Sequence, residues 1–226
     1  MCGRFTLRTP ATLLAELFGG EPPAELPLRY NIAPTQGVAI VRIDPKTGTR
    51  HWQMARWGLI PAWAKDPSIG NRMINARAES VGDKPAYRTA FRRRRCLVPA
   101  DGYFEWQKTG RAKQPYYIQL SDGSPFAMAG LWDAWIAPDS GSPLESCTVI
   151  TTDANHLTRS IHDRMPVILP PDVYDRWLDP QLQAVDTLCD LLRPFDGLSM
   201  RAVPVSTHVN NPRNDDPGCI AVQNGS

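Results

Sequence analysis

Short runs of β-branched and aromatic residues, broken by turn signals at close intervals, constrain this chain more than any other feature. Val38 to Ile43 and Thr49 to Trp57 flank Asp44-Pro45-Lys46-Thr47-Gly48, which predicts a hairpin. Tyr103–Lys108, Tyr116–Leu120 and Phe126–Trp135 are joined through Thr109-Gly110 and Asp122-Gly123, which predicts a meander. Further strands are expected at Arg72–Arg77, Arg95–Val98, Ser146–Thr152, Pro166–Leu169 and Leu198–Val205, and helices near Tyr87–Arg94, Pro171–Leu178 and Leu182–Leu192. Another helix over Ala11–Phe18 has Thr9 as its expected N-cap, Pro10 as its first residue and Gly19-Gly20 as its stop. Pro22 to Pro34 reads as proline-rich loop, with Arg29–Pro34 too irregular for either period. The fold class is therefore α+β: a curved, mostly antiparallel β-sheet closing into a barrel-like core, with peripheral helices. The 22 prolines are spread rather than collected into a linker, so residues 1–226 read as a single domain.

Several function classes fall away on composition. No apolar run reaches the length of a membrane span, no signal peptide opens the chain, and no Gly-rich phosphate loop is present. The five cysteines (Cys2, Cys96, Cys147, Cys189, Cys219) contain no CxxC, and the four histidines have no paired spacing. A reducing compartment is expected, with no disulfide framework, no metal and no cofactor. The net charge of +2 hides an asymmetry: residues 1–120 carry 19 Lys and Arg against 9 Asp and Glu, residues 121–226 carry 6 against 14. A basic half that includes Trp52, Trp57, Trp63 and Trp106 suits a groove that neutralises phosphates and stacks bases. The alternative is that the two halves fold together and their charges cancel.

The candidate chemistry begins at Met1-Cys2-Gly3. Removal of Met1 leaves Cys2 with a free α-amine beside its thiol, a 1,2-aminothiol. The amine, with an ordinary pKa of about 7.7–8.0, is partly neutral near pH 7 and can attack an aldehyde to form a Schiff base. The thiol can then close on the imine carbon to give a thiazolidine. The same group can serve as an N-terminal nucleophile that attacks an amide, and an unprocessed chain would make Cys2 a small buried apolar residue. Elsewhere, strand parity puts Asn75 and Arg77 on one face, suited to a sugar hydroxyl and a phosphate. Glu105 shares a face with Tyr103 and is either paired with an arginine or an acid/base group. His162, between Ile161 and Asp163-Arg164, is either a surface histidine or a proton-transfer group. The run Arg92–Arg95 is expected to be a solvated basic helix end.

Six blocks in order carry a resemblance: Met1-Cys2-Gly3-Arg4-Phe5, Arg29-Tyr30-Asn31-Ile32-Ala33-Pro34, Arg56 through Trp63, Ile74-Asn75-Ala76-Arg77-Ala78-Glu79, Ala100 through Trp106, and Ile161 through Pro166. Together they resemble the SRAP (SOS response-associated peptidase) family of abasic-site sensors. The resemblance implies crosslinking to abasic sites in single-stranded DNA, with Cys2 forming the thiazolidine. Glu105 would orient the amine and shuttle protons, and His162 would open the sugar ring and reverse the link. Asn75 would bond the opened sugar or the Cys2 backbone. Arg4, Arg77 and Arg164 would grip phosphates, Asn31 would belong to the DNA-contacting set, and Pro34, Trp63 and Trp106 would stack on or wedge between bases. This chain has Trp63-Ala64 where the family carries two adjacent aromatics. The resemblance further implies self-removal of Met1, weak lyase activity and a monomer working at DNA: nucleoid-associated in a bacterial cytoplasm, or nuclear in a eukaryote. An N-terminal-nucleophile hydrolase and a non-catalytic single-strand-binding module are the competing classes.

Overall fold

In a computed structural model, which describes residues 2–110 and 112–223, the alternating runs in the middle of the chain close into a barrel. In chain order the strands are β1 (Arg4–Leu7), β2 (Arg29–Ile32), β3 (Gly37–Ile43), β4 (Arg50–Trp57), β5 (Asn75–Arg77), β6 (Arg95–Ala100), β7 (Gly102–Thr109), β8 (Ala112–Leu120), β9 (Phe126–Ile136), β10 (Pro143–Asp153), β11 (Arg164–Pro166), β12 (Ile168–Leu169) and β13 (Met200–Pro204). The helices are α1 (Ala11–Phe18), α2 (Arg88–Arg93), α3 (Tyr174–Leu178) and α4 (Val185–Cys189).

Five strands form the ring. β4 pairs with β3, β3 with β6, β6 with β9 and β9 with β10, all antiparallel. β10 then returns to β4 in parallel register, with Cys147 opposite Trp57. Closure leaves the ring strands without open edges. β5 and β11 extend it beside β10, and β12 beside β9. Ile40, Trp57, Leu97, Leu131 and Val149 are wholly buried, each contributing on the order of 2 kcal/mol by leaving water. A second sheet, ordered β13-β8-β7-β1-β2, is antiparallel throughout. Its strand β1 packs on the barrel through Phe5, whose ring meets Trp57 edge-on at 5.1 Å.

The α+β, barrel-cored architecture matches the expectation, with differences in detail. β1 and β2 were not expected as strands. The expected strand Arg72–Arg77 is cut to Asn75–Arg77, because Asp66 caps a 3₁₀ helix over Pro67–Arg72. Pro166–Leu169 is split at Val167, since β11 pairs with β10 and β12 with β9. The helix expected over Leu182–Leu192 is reduced to α4. Pro10 occupies the N-cap position of α1 rather than its first turn, and the Thr9 hydroxyl bonds Asp101 instead.

The two oppositely charged halves do fold together. Arg42 pairs with Glu145 at 2.9 Å, Arg50 with Asp175 at 2.6 Å and Arg94 with Asp133 at 3.2 Å, and Arg29 pairs with Asp215. The run Arg92–Arg95 is also not uniformly solvated: Arg95 is buried and donates to the carbonyls of Phe91, Arg92, Trp177, Asp179 and Leu182. Among the described residues no helix is long and apolar enough to cross a membrane.

Candidate active site

Cys2 lies just ahead of β1, and four contacts close a frame around it. Phe5 of β1 packs on Trp57. The Trp57 indole N–H donates to the Ile74 carbonyl at 2.9 Å, which fixes the start of β5 at the next residue. From there the Asn75 side-chain amide reaches back and donates to the Cys2 carbonyl at 2.8 Å. The Tyr87 hydroxyl donates to the Asn75 carbonyl at 3.2 Å and braces the strand from the other side. The frame needs a short apolar strand and a parallel pairing of β5 with β10, Asn75 opposite Val149. Of the two partners expected for Asn75, the protein itself supplies the Cys2 backbone.

β7 supplies the other wall. Phe5 stands opposite Tyr103 and Arg4 opposite Phe104, and period-two alternation puts Tyr103, Glu105 and Gln107 on one face. Cys2 is wholly buried and Glu105 nearly so. Burial pushes the Cys2 thiol well above the usual range, and the negative charge of Glu105 adds to this. The backbone N–H of Arg4 bonds the sulfur and pulls the other way. The sulfur is thus a neutral thiol at pH 7, unless a base takes its proton.

Further along the same face, the Gln107 amide donates to the Ser160 carbonyl at 2.9 Å and ties β7 to the loop that carries His162. His162 Nδ1 accepts from the Arg164 backbone N–H at 3.0 Å and lies 2.7 Å from Asp163 Oδ1. His162, Asp163, Arg164, Asp153 and Arg77 line an open cavity of about 410 Å³. Arg77 is two residues from Asn75 on β5, so the cavity adjoins the Cys2 frame through that strand.

The residues expected to meet DNA divide into two groups. Arg77 is exposed, and Trp63 is 62% exposed, far more than any other tryptophan of its block or the barrel. Ala64, where the second aromatic would stand, is buried, and its carbonyl accepts from the Trp135 indole at 2.7 Å. Pro34 is half-buried at a turn where Thr35 takes φ 72°, a left-handed conformation that a β-branched residue rarely adopts. The Thr35 N–H donates to the Trp57 carbonyl at 2.8 Å, which holds that turn against the barrel.

The second group is engaged by partners within the protein. Asn31 is completely buried: its amide accepts from Arg4 at 2.8 Å and donates to the carbonyls of Val209, Asn211 and Asn214. In this structure the side chain expected among the DNA contacts is instead engaged with Arg4 and the C-terminal segment. Arg4 also donates to the Val209 carbonyl at 2.8 Å and lies 6.0 Å from the Trp106 ring. The Trp106 indole donates to Asn210 at 2.8 Å. Arg164 is engaged by both carboxylate oxygens of Glu79 and by Asp153 at 2.8 Å, so a phosphate would compete with two acids for it.

Among the described residues one group of metal-ligand types converges, His208, Asp216 and Cys219 within 4.8 Å. The His208 ring nitrogens are engaged by Asp216 at 2.9 Å and Asn214 at 3.1 Å, contacts that hold the C-terminal segment together. Sequence reasoning passed over Gln107 and Tyr103 as site residues, although their parity with Glu105 is the signal that finds them.

A buried cysteine framed by asparagine and glutamate at the junction of a small barrel and a second sheet defines a class. The chain belongs to the SRAP family, SOS response associated peptidase, whose profile matches residues 1–212. Among its relatives, the abasic site processing protein YoqW of Bacillus subtilis is 43% identical over 224 residues, covering 97% of this chain and 99% of that protein. The abasic site processing protein HMCES of Xenopus tropicalis is 37% identical over 201 residues, covering 79% of this chain and 59% of that protein. A crystal structure of a protein from Bacteroides thetaiotaomicron superimposes with a TM-score of 0.88 at 31% identity, covering 98% of this chain and all of that one (100%).

Proposed function

We propose that this chain processes abasic sites in single-stranded DNA by capturing them covalently through Cys2. The observation that carries the reading is the Asn75–Cys2 bond of 2.8 Å, which holds the reactive residue beside Glu105. The electrophile is the C1′ aldehyde that a deoxyribose exposes once its base is lost. Met1 lies outside the described residues, and the reaction requires its removal.

The neutral thiol dictates the order of events. The α-amine adds to the aldehyde first; as the carbinolamine loses water, the Glu105 carboxylate takes the proton that the nitrogen gives up and passes it to the departing hydroxyl. The sulfur then gives its proton to Glu105 and bonds to the imine carbon, and Glu105 passes that proton to the imine nitrogen. One water leaves overall, and a thiazolidine joins protein to DNA. His162 moves the proton that opens the sugar ring and, in reverse, releases the link. Arg77 meets a flanking phosphate, and Trp63 stacks on a neighbouring base, a contact worth about 1–3 kcal/mol. The closed ring shields the lesion from strand breakage. Elimination from the Schiff base before closure gives a weak lyase activity, and self-removal of Met1 would be the family's peptidase step.

The test is a denaturing gel after mixing the protein with single-stranded DNA that holds one abasic site. A heat-resistant shifted band is expected with wild type and none with Cys2→Ala. An N-terminal-nucleophile hydrolase gives no such band, and an equal band from Cys2→Ala overturns the aminothiol reading.

A further inference from the structure

Among the buried polar atoms that lack a hydrogen-bond partner, the Tyr103 hydroxyl lies beside the site and has no task in the mechanism above. Tyr103 is wholly buried, and its hydroxyl has no hydrogen-bond partner among the described residues. An uncompensated hydroxyl in the interior costs free energy, so a tyrosine where phenylalanine would pack equally well calls for an explanation. Its surroundings are specific. Tyr103 stands directly across the ladder from Phe5, shares a strand face with Glu105, and lies within electrostatic reach of Cys2 and Glu105. Burial, then the charges of Cys2 and Glu105, raise its own ionisation well above the ordinary tyrosine value, so it keeps its proton wherever the crosslink forms. A hydroxyl that stays protonated is a donor throughout the reaction. A further donor to the sulfur would ease negative charge there, which burial and the Glu105 carboxylate oppose and which the charge of the amino terminus and the Arg4 backbone N–H favour.

Resting on the covalent-capture reading, we infer that Tyr103 is a positioning residue for ring closure: its hydroxyl donates a hydrogen bond to the Cys2 sulfur as that sulfur adds to the imine carbon. The thiol proton passes to Glu105, the S–C bond forms, and the electron pair of the C=N bond takes that same proton from Glu105 at nitrogen; Tyr103 gains and loses none. Amine addition, which precedes this step, does not use the hydroxyl. The inference thus separates two steps that a general loss of structure would slow together.

The experiment uses Tyr103→Phe, which keeps the ring and removes only the oxygen. The imine is the species that borohydride traps; the closed thiazolidine resists it. Conversion of one into the other is followed on full-length protein and abasic single-stranded DNA between pH 6 and 9. Imine formation at the wild-type rate is expected, with ring closure about tenfold slower and its pH midpoint about one unit higher. The thermal midpoint should be no lower than that of wild type, because an unpartnered buried hydroxyl has been removed. Ring closure that superimposes on wild type, with wild type forming the adduct and Cys2→Ala forming none, overturns this inference alone. No adduct from wild type at all overturns the covalent reading, and this inference with it.

Discussion

The Asn75 side-chain amide donates to the Cys2 carbonyl at 2.8 Å across 73 residues of chain. It is the bond by which a barrel-side strand holds the residue just ahead of β1. Asn75→Ala is expected to cost about 1 kcal/mol of stability, one hydrogen bond's worth. Crosslinking should slow by about tenfold or more, because the aminothiol loses its orientation. Unfolding curves and the rate of adduct formation check both numbers; an unchanged rate would remove Asn75 from the site.

His162→Ala should slow reversal of the crosslink by about a hundredfold, the usual contribution of one acid/base group. Affinity for single-stranded DNA should change far less, since the ring is engaged by its own neighbours Asp163 and Arg164. Reversal is read by exchange of the bound DNA onto a labelled competitor. A large affinity loss at unchanged reversal would make His162 a binding residue.

Asn31→Ala should unfold the protein more readily, by about 3 kcal/mol, because the backbone carbonyls of the C-terminal segment and the Arg4 guanidinium lose a shared buried partner. Denaturant unfolding measures it. Lost DNA affinity at full stability would instead make Asn31 a DNA-contacting residue.

Alkaline pH should weaken the fold through its buried thiols. Burial raises Cys147 from 9.0 to about 12 and Cys96 well above its ordinary value. The folded state therefore holds these protons more tightly than the unfolded chain. Their contribution is fully present below about pH 9 and is lost as pH rises from there toward 12, with a slope of about 1.4 kcal/mol per pH unit for each group. Urea unfolding at stepped pH should show stability falling across that window, and Cys147→Ala should lower the slope by one group's share. A flat profile from pH 9 to 11 contradicts it.

Much of this site was legible before any coordinates. Period-two alternation marked β3, β4 and β7 through β10, and the parity of Asn75 with Arg77 and of Glu105 with Tyr103 followed from it. β1 and β2 were not legible. Phe5, Thr6 and Leu7 are buried on both faces between β7 and β2, so no alternation survives in four residues. The outer edge of β2 is satisfied by a side chain: Asp215 accepts from the backbone N–H of Tyr30 and of Asn31, at 2.6 and 2.8 Å. Nothing near residue 30 reports an acceptor from so far along the chain. Arg95 was misread for the same reason, because its five carbonyl acceptors come largely from the α3 region that only the fold brings near.

The central claim is most directly tested by intact mass spectrometry of the protein after incubation with a short single strand carrying one abasic site. The account predicts an adduct equal in mass to the two reactants less one water, on protein that has lost Met1, with Cys2→Ala giving no adduct of that mass. An adduct that retains Met1, or one formed equally by Cys2→Ala, contradicts it.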